Sequence, residues 1–277
     1  MRTGEPALEG LLDLAVSIAV EAGRVLSERF SAAGPTQAVT DSVRSKSSRT
    51  DLVTEADQAS ERLIVSRLAA ARPGDAILAE EGGSSEGTSG LTWIVDPLDG
   101  TINFVYGLPV FGISIACSSD STTLLGVVHD PIRAETFIAV SGGGAFRDGI
   151  RLRLSAGPPL SEALVGTGFS YESERRRAQG RLVAHVLPEV RDVRRAGAAA
   201  IDLCWVASGR LDGFWPRCAV DGVARGWQWS HKRTSWCPGH NPPERCGPRR
   251  LLVLPWAVHT ARLAARAGAG KMPVLGP

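Results

Sequence analysis

Short apolar runs that stop at acidic residues constrain this chain more than any other feature. Between Trp93 and Phe104 it reads WIVDPLDGTINF. A strand-like run gives way to two carboxylates three residues apart, Asp96 and Asp99, and then at once to Gly100 and Thr101. A strand exit needs a turn, and Asp and Gly are turn residues, but a turn does not need two negative charges. The run AILA, Ala76 to Ala79, is followed in the same way by Glu80 and Glu81. Gly- and Ser-rich residues separate the two runs, so both read as buried strands.

The flanking pattern predicts what encloses those strands. Leu8, Leu11, Leu12, Ala15, Ala19, Ala22 and Leu26 recur at three- and four-residue steps, one face of an amphipathic helix. A polar loop or hairpin, GPTQAVTDSVRSKSSRTD, follows. Thr54 stands three residues before Asp57, a capping arrangement, and Ala59, Leu63, Ile64 and Ala69 carry a second helix to Pro73-Gly74. VFGISIAC, TLLGVV and ETFIAV predict an antiparallel meander, with GGGAFRDG as a glycine-rich connection. ALVGTGF reads as a strand, ESERRRAQGRLVAHVL as an exposed helix, and AAAIDLCWVASG as a helix ended by Gly209. Two helices, a run of strands, then alternating strand and helix imply layered sheets and helices. At 277 residues and 43% apolar the chain can bury a sizeable core, and no repeat or linker divides it.

Bulk properties exclude several roles. A formal charge of +2 does not argue for nucleic acid or an anionic membrane as the main partner. The apolar stretch AVSIAV is far short of the roughly 20 residues that span a bilayer, and Glu5, Glu9 and Asp13 stand where a signal peptide is basic, so a cytoplasmic protein is expected. Five cysteines without regular spacing are no disulfide framework, and Cys117 reads as a buried thiol.

Asp51, Glu80, Glu81, Asp96 and Asp99 fall at strand ends and helix starts. Clustered like charges need a proton or a cation, and oxygen-only ligands select a hard ion, Mg²⁺ before Zn²⁺. Magnesium takes one or two carboxylates per ion, so four or five acids suggest ions sharing a bridging carboxylate, a design that serves displacement at phosphorus. Gly100 would let the backbone approach a phosphate, a short helix starting near Thr101 would aim N–H groups at it, and the Thr101 hydroxyl could orient water.

DPLDGTINF, together with AEEGG, DLVTEAD and the preceding SKSS, resembles the inositol monophosphatase family of lithium-sensitive, magnesium-dependent phosphatases. The similarity runs from about Leu8 to Trp215 and includes RRAGAAAIDLCWVASGRLDGFW. The resemblance implies one domain over residues 1–277: an α/β (α+β), five-layered α-β-α-β-α sandwich. It further implies a homodimer that hydrolyses a small phosphorylated substrate with water and no phosphoenzyme. It places Glu80, Asp96 and the Leu98 carbonyl on a first Mg²⁺, Asp96 and Asp99 on a second, and two or three ions in all. Asp51 and Thr101 would activate the water, the Gly100 and Thr101 amides would hold the phosphate, and Gly197, Ala198 and Ala199 would contact the inositol ring. Glu81 reads as a solvated or outer acid, Lys46 as a solvated lysine, Asp57 as a helix cap, and Asp202 as facing the dimer or solvent.

The pattern breaks after DGFW. Pro216 stands where the family has an acid, and the following W-D-x-A-x-G motif, whose Asp completes the second metal site, is absent. VDGVARG, Val220 to Gly226, is a shadow of it, with Asp221 the candidate ligand. Periodicity is lost over 216–248 and returns in RLLVLPWAVHTARLAARAG, as compensating frameshifts or genuine divergence would produce. The spacings of His231, Cys237, His240 and Cys246 match no zinc pattern. The leading expectation is an inositol-1-phosphate phosphatase, with activity reduced if the second metal site is damaged. Histidinol-phosphate, fructose-1,6-bisphosphate or 3'-phosphoadenosine phosphatases are the alternatives. A non-catalytic association with RNA or RNA polymerase is the other class, with nine lysines and arginines after Gly222 against Glu244 alone.

Overall fold

The first helix, α1 (Leu8–Ala33), buries Leu11, Ala15, Ile18, Ala19, Ala22 and Leu26 along one stripe, the spacing expected of a helix laid on a sheet. The computed structural model describes residues 8–33, 44–45, 52–82, 84–119, 122–153 and 157–215. The helix continues past Leu26 because Phe30 finds partners in the next layer. Its ring lies 5.5 Å from Phe104 and 5.0 Å from Phe111, which are 5.1 Å from each other, all tilted or edge-on. A two-residue antiparallel pair, β1 (Arg44–Ser45) with β2 (Leu52–Val53), leads into α2 (Glu55–Ala71). Thr54 and Asp57 form the expected capping box at the start of α2.

Beneath α1 and α2 lies a seven-stranded sheet, in sequence order across its width. It comprises β3 (Ala76–Ala79), β4 (Leu91–Asp99), β5 (Gly112–Ser119), β6 (Thr122–Asp130), β7 (Glu135–Val140), β8 (Gly144–Arg147) and β9 (Ile150–Arg151). Only β3 and β4 are parallel; the rest is the predicted meander. Between β4 and β5 the chain makes one turn of helix, α3 (Thr101–Val105). The glycine-rich segment expected as a connection contains β8. Arg147 pairs with Ile150 across Asp148 (φ 50°) and Gly149 (φ 77°), and a two-residue Asp-Gly loop with both φ positive is the hairpin turn whose twist matches its strands.

A helix buried between two sheets should be apolar all round, and α5 (Ala199–Ala207) is so but for Asp202. One side, with Ala200, Ile201 and Cys204, meets Ile94, Ala116, Val128 and Phe137 of the large sheet. The other, with Leu203 and Val206, meets Leu211 and Phe214. Phe214 belongs to a second sheet of parallel strands in the order β11 (Asp192–Arg194), β10 (Leu164–Thr167), β12 (Gly213–Trp215). The outer face of that sheet packs Val165 and Val190 on Val186 of α4 (Ser173–Val186). The layers therefore run helix, sheet, helix, sheet, helix, as expected. Arg210, past the end of α5, pairs with Glu135 of β7, and Arg147 reaches the same carboxylate at 3.6 Å. The Arg210 hydrogen bonds hold the Glu135 carboxyl below its usual range. No helix among the described residues is long and apolar enough to cross a membrane.

Asp202 corrects an expectation. It faces neither solvent nor a partner surface: it is 1% exposed, on the side of α5 that meets Gly166 of β10. Its Oδ1 has no hydrogen-bond partner among the described residues. Burial, reinforced by the charge of Asp99 and opposed by Arg195, pushes its pKa up to about 8. A neutral carboxyl is cheaper to bury than a charge. Cys117, buried as expected, has its thiol pushed up to about 12 by the same desolvation.

Two outcomes follow from this packing. Because the folded value of Asp202 lies above its unfolded value of 3.8, the folded state holds the extra proton, and the stability this confers is full below about pH 4 and is lost as pH rises to about 8. Asp202→Asn removes that slope. In urea melts taken at successive pH values, the variant gains on the wild type by about 1 kcal/mol per pH unit through that window; a constant difference would refute the buried neutral carboxyl. Phe111→Ala, which empties the centre of the three-ring cluster, lowers the unfolding free energy by about 3–5 kcal/mol in the same measurement.

Candidate active site

The exit of β4 is organised by register. Ala79 of β3 lies opposite Val95 of β4 in parallel pairing, so the next residues, Glu80 and Asp96, follow at the same end of the two strands. Asp96 still pairs with Ser114 of β5, and the ladder then slips before Asp99 pairs with Gly112. Such a bulge frees Pro97 and Leu98 from the ladder and re-aims the side chains around them. Asp96 Oδ1 accepts the Leu98 N–H at 3.2 Å, closing an Asx turn, and the Ser60 hydroxyl of α2 donates to the Pro97 carbonyl at 2.8 Å.

Gly100 then turns the chain into α3 with φ 99°. A Cβ there would lie 2.9 Å from the Val110 carbonyl oxygen and 3.2 Å from the Ala198 Cβ, so neither conformation nor space admits a side chain. Thr101 opens α3, its Oγ1 at 3.0 Å from Asp57 Oδ1 and 3.1 Å from the Leu98 carbonyl oxygen.

Residues distant in sequence arrive through two hydrogen-bonded links. Asp99 Oδ2 accepts the Ala200 N–H at 2.6 Å, capping α5, whose own N-cap residue, Ala198, has no side-chain acceptor. The positive end of the helix dipole favours a carboxylate there. Asn103 of α3 donates through Nδ2 to the carbonyls of Val110 at 2.7 Å and Ala196 at 2.8 Å. Gly197 lies against the same amide with φ 100°; a Cβ would come within 2.7 Å of Asn103. The predicted substrate-side residues Gly197, Ala198 and Ala199 are thereby set beside Gly100 and Thr101.

Three contributors escaped the sequence reading: Ser60, Glu61 and Asn103. α2 buries Asp57, Ser60 and Glu61 on the stripe it shares with Ile64 and Leu68. Glu61 accepts the Glu81 N–H at 2.6 Å, so Glu81, read as a solvated or outer acid, is half-buried with its backbone anchored. Polar residues at helical spacing within an apolar stripe were the available signal. Asp57 is the helix cap expected, and its second oxygen reaches Thr101. Asn103 carries no sequence signal beyond its place in the motif.

The donors that the described residues supply, the carboxylates of Glu80, Asp96 and Asp99 and the Leu98 carbonyl, are all oxygen, which fits a hard divalent cation and not a thiophilic one. Among the described residues no three His, Cys, Asp or Glu side chains group as a metal site. Asp51, Lys46, Asp221 and the atypical stretch 216–248 lie outside the described residues.

Comparison with known proteins agrees with the geometry. A profile of the inositol monophosphatase family matches residues 7–229. An inositol-1-monophosphatase of Mycobacterium leprae is 48% identical over 182 residues, covering 62% of this chain and 62% of its own length, so the chain spans less than two thirds of that relative. The Nus factor SuhB of Pasteurella multocida is 39% identical over 224 residues, 78% of this chain and 82% of its own. In three dimensions, the crystal structure of the extragenic suppressor protein suhB from Bartonella henselae matches with a TM-score of 0.68 at 36% identity, covering 75% of this chain and 78% of that one. With the family profile spanning most of the chain and the acid-bearing bulge set within the same layered fold, the chain belongs to the inositol monophosphatase family.

Proposed function

We propose that this chain is a Mg²⁺-dependent phosphomonoesterase that hydrolyses inositol 1-phosphate to inositol and inorganic phosphate by direct attack of water. The observation that carries the reading is the β4 exit. There Asp96, Asp99, Gly100 and Thr101 lie within one bulged turn, locked to the start of α5 by the Asp99 hydrogen bond. Glu80, Asp96 and the Leu98 carbonyl would hold one ion and Asp96 with Asp99 a second, of two or three in all, with Asp221 a further ligand. Bound there, such ions supply positive charge to the phosphate oxygens and to the departing alkoxide.

The chain's own groups do the rest. Thr101 and Asp51 orient the water, and the Gly100 and Thr101 amides would hold the phosphate, the backbone at Gly100 carrying no side chain to keep it away. Gly197, Ala198 and Ala199 line the side of the alcohol. We read the active form as a cytoplasmic homodimer. Because the W-D-x-A-x-G motif whose Asp completes the second metal site is absent, the second ion would have a poorer ligand set than in an intact relative unless Asp221 replaces that Asp, and turnover would be correspondingly lower. The alcohol is the least constrained part of the reading; histidinol phosphate, fructose 1,6-bisphosphate and 3'-phosphoadenosine phosphate are the competing substrates.

A second reading, association with RNA or RNA polymerase, is favoured by the relatives named Nus factor SuhB and by the basic residues after Gly222. Salt-sensitive RNA binding without phosphate release would favour it.

Phosphate release from inositol 1-phosphate in the presence of Mg²⁺ discriminates these. The wild type is expected to turn over, EDTA to abolish turnover, and Asp96→Asn to lower kcat/KM by about 100-fold or more while leaving the chain folded by circular dichroism. Phosphate release that survives EDTA would refute the reading.

A further inference from the structure

We propose that Asp57 is a positioning residue for the hydrolytic water, acting through the Thr101 hydroxyl. The proposal rests on the phosphatase reading above but on different observations. Asp57 is 1% exposed. Its two carboxylate oxygens have different tasks. Oδ2 accepts the Thr54 N–H at 2.8 Å and the Thr54 hydroxyl, which completes the capping box of α2. Oδ1 turns away from the cap and accepts from Thr101 Oγ1 at 3.0 Å, 44 residues on. A capping box requires only the first of these.

Thr101 has one hydroxyl proton and, among the described residues, two neighbours that only accept: Asp57 Oδ1 and the Leu98 carbonyl at 3.1 Å. A carboxylate is the stronger acceptor, so the proton lies on the side of Asp57. The oxygen lone pairs of Thr101 are then turned to where a water can donate to them. A water donating a proton to Thr101 has its own lone pair left for phosphorus. A carboxamide at position 57 reverses this arrangement. Its oxygen can keep the Thr54 N–H, but its Nδ2 then donates to Thr101, occupies a lone pair, and sends the hydroxyl proton to Leu98. The cap survives and the orientation is lost.

The test uses the full chain in four forms, wild type, Asp57→Asn, Thr101→Val and the double variant, with Thr54→Ala as the control for capping. With Mg²⁺ and inositol 1-phosphate, Asp57→Asn is expected to lower kcat by about 10–100-fold with KM within about twofold. Thr54→Ala, which loses the acceptor for the Ala56 and Asp57 N–H groups, lowers Tm by more but keeps kcat. Asp57→Asn adds nothing to Thr101→Val, because its effect passes through the missing hydroxyl. In urea melts of the metal-free proteins the same pair is expected to be non-additive, which reports the hydrogen bond without any catalysis. Should Asp57→Asn fail to fold, Asp57→Glu keeps a carboxylate and a capping box while moving the charge by one methylene, and the same fall in kcat at constant KM is expected. Full kcat in the position-57 variant, or a double variant that loses the product of the two single effects, overturns the proposal. A wild type that releases no phosphate overturns the phosphatase reading, and the water-positioning role with it, while additive stabilities in an active enzyme overturn the role of Asp57 alone.

Discussion

One hydrogen bond, from the Ala200 N–H to Asp99 Oδ2, holds together the parts from which the site is made. It joins a strand exit of the large sheet to the first turn of the middle helix across 101 residues. An α-helix begins with N–H groups that have no partner within it, and α5 starts at Ala198, Ala199 and Ala200, none of which can cap it. The acceptor must come from elsewhere, and a carboxylate at the positive end of the dipole is the most favourable one. A charged hydrogen bond of this kind is worth about 1.5–3 kcal/mol. Because the second sheet meets the first largely across α5, this contact and the Glu135–Arg210 pair set where the small sheet stands relative to the acids.

The same corner separates two aspartates by environment. Asp99 lies half-buried at the helix N-terminus and accepts an N–H; Asp202, on the following residues of that helix, is enclosed between layers with a neutral carboxyl. The charge of Asp99 adds to the cost of ionising Asp202. A carboxyl kept neutral by its surroundings adds no second charge beside its neighbour. Asp202 therefore leaves the N-terminus of α5 to a single carboxylate.

Layer order, the meander and the acid-bearing strand exit were legible from periodicity and from the D-x-x-D-G-T pattern, because each is a local property of the sequence. What was not legible depends on contacts across the fold. α1 extends past Leu26 because Phe30 meets Phe104 and Phe111, residues in a loop and helix far along the chain. Asp202 looked like a surface acid on a helix with an exposed side, but a helix between two sheets has none. The hairpin at Asp148-Gly149 was hidden by the glycines before it, which suggested a connection without strands. Asp221 and Asp51 remain sequence readings, since neither lies among the described residues.

The buried polar stripe of α2 explains why a capped helix, and not only a capped strand, belongs to this site. Asp57, Ser60 and Glu61 occupy positions a hydrophobic helix would fill with aliphatic side chains, and burying them is unfavourable unless each is satisfied. Each is satisfied by a different segment: the Thr101 hydroxyl, the Pro97 carbonyl and the Glu81 N–H. Those segments are the turn after β4, the bulge within it and the residues after β3, which are the places where the candidate ligands lie. One face of one helix thus fixes three backbone positions against each other. Rigid elements hold a functional group more closely than loops do, and here a set of acids at strand exits borrows the rigidity of α2 through three hydrogen bonds.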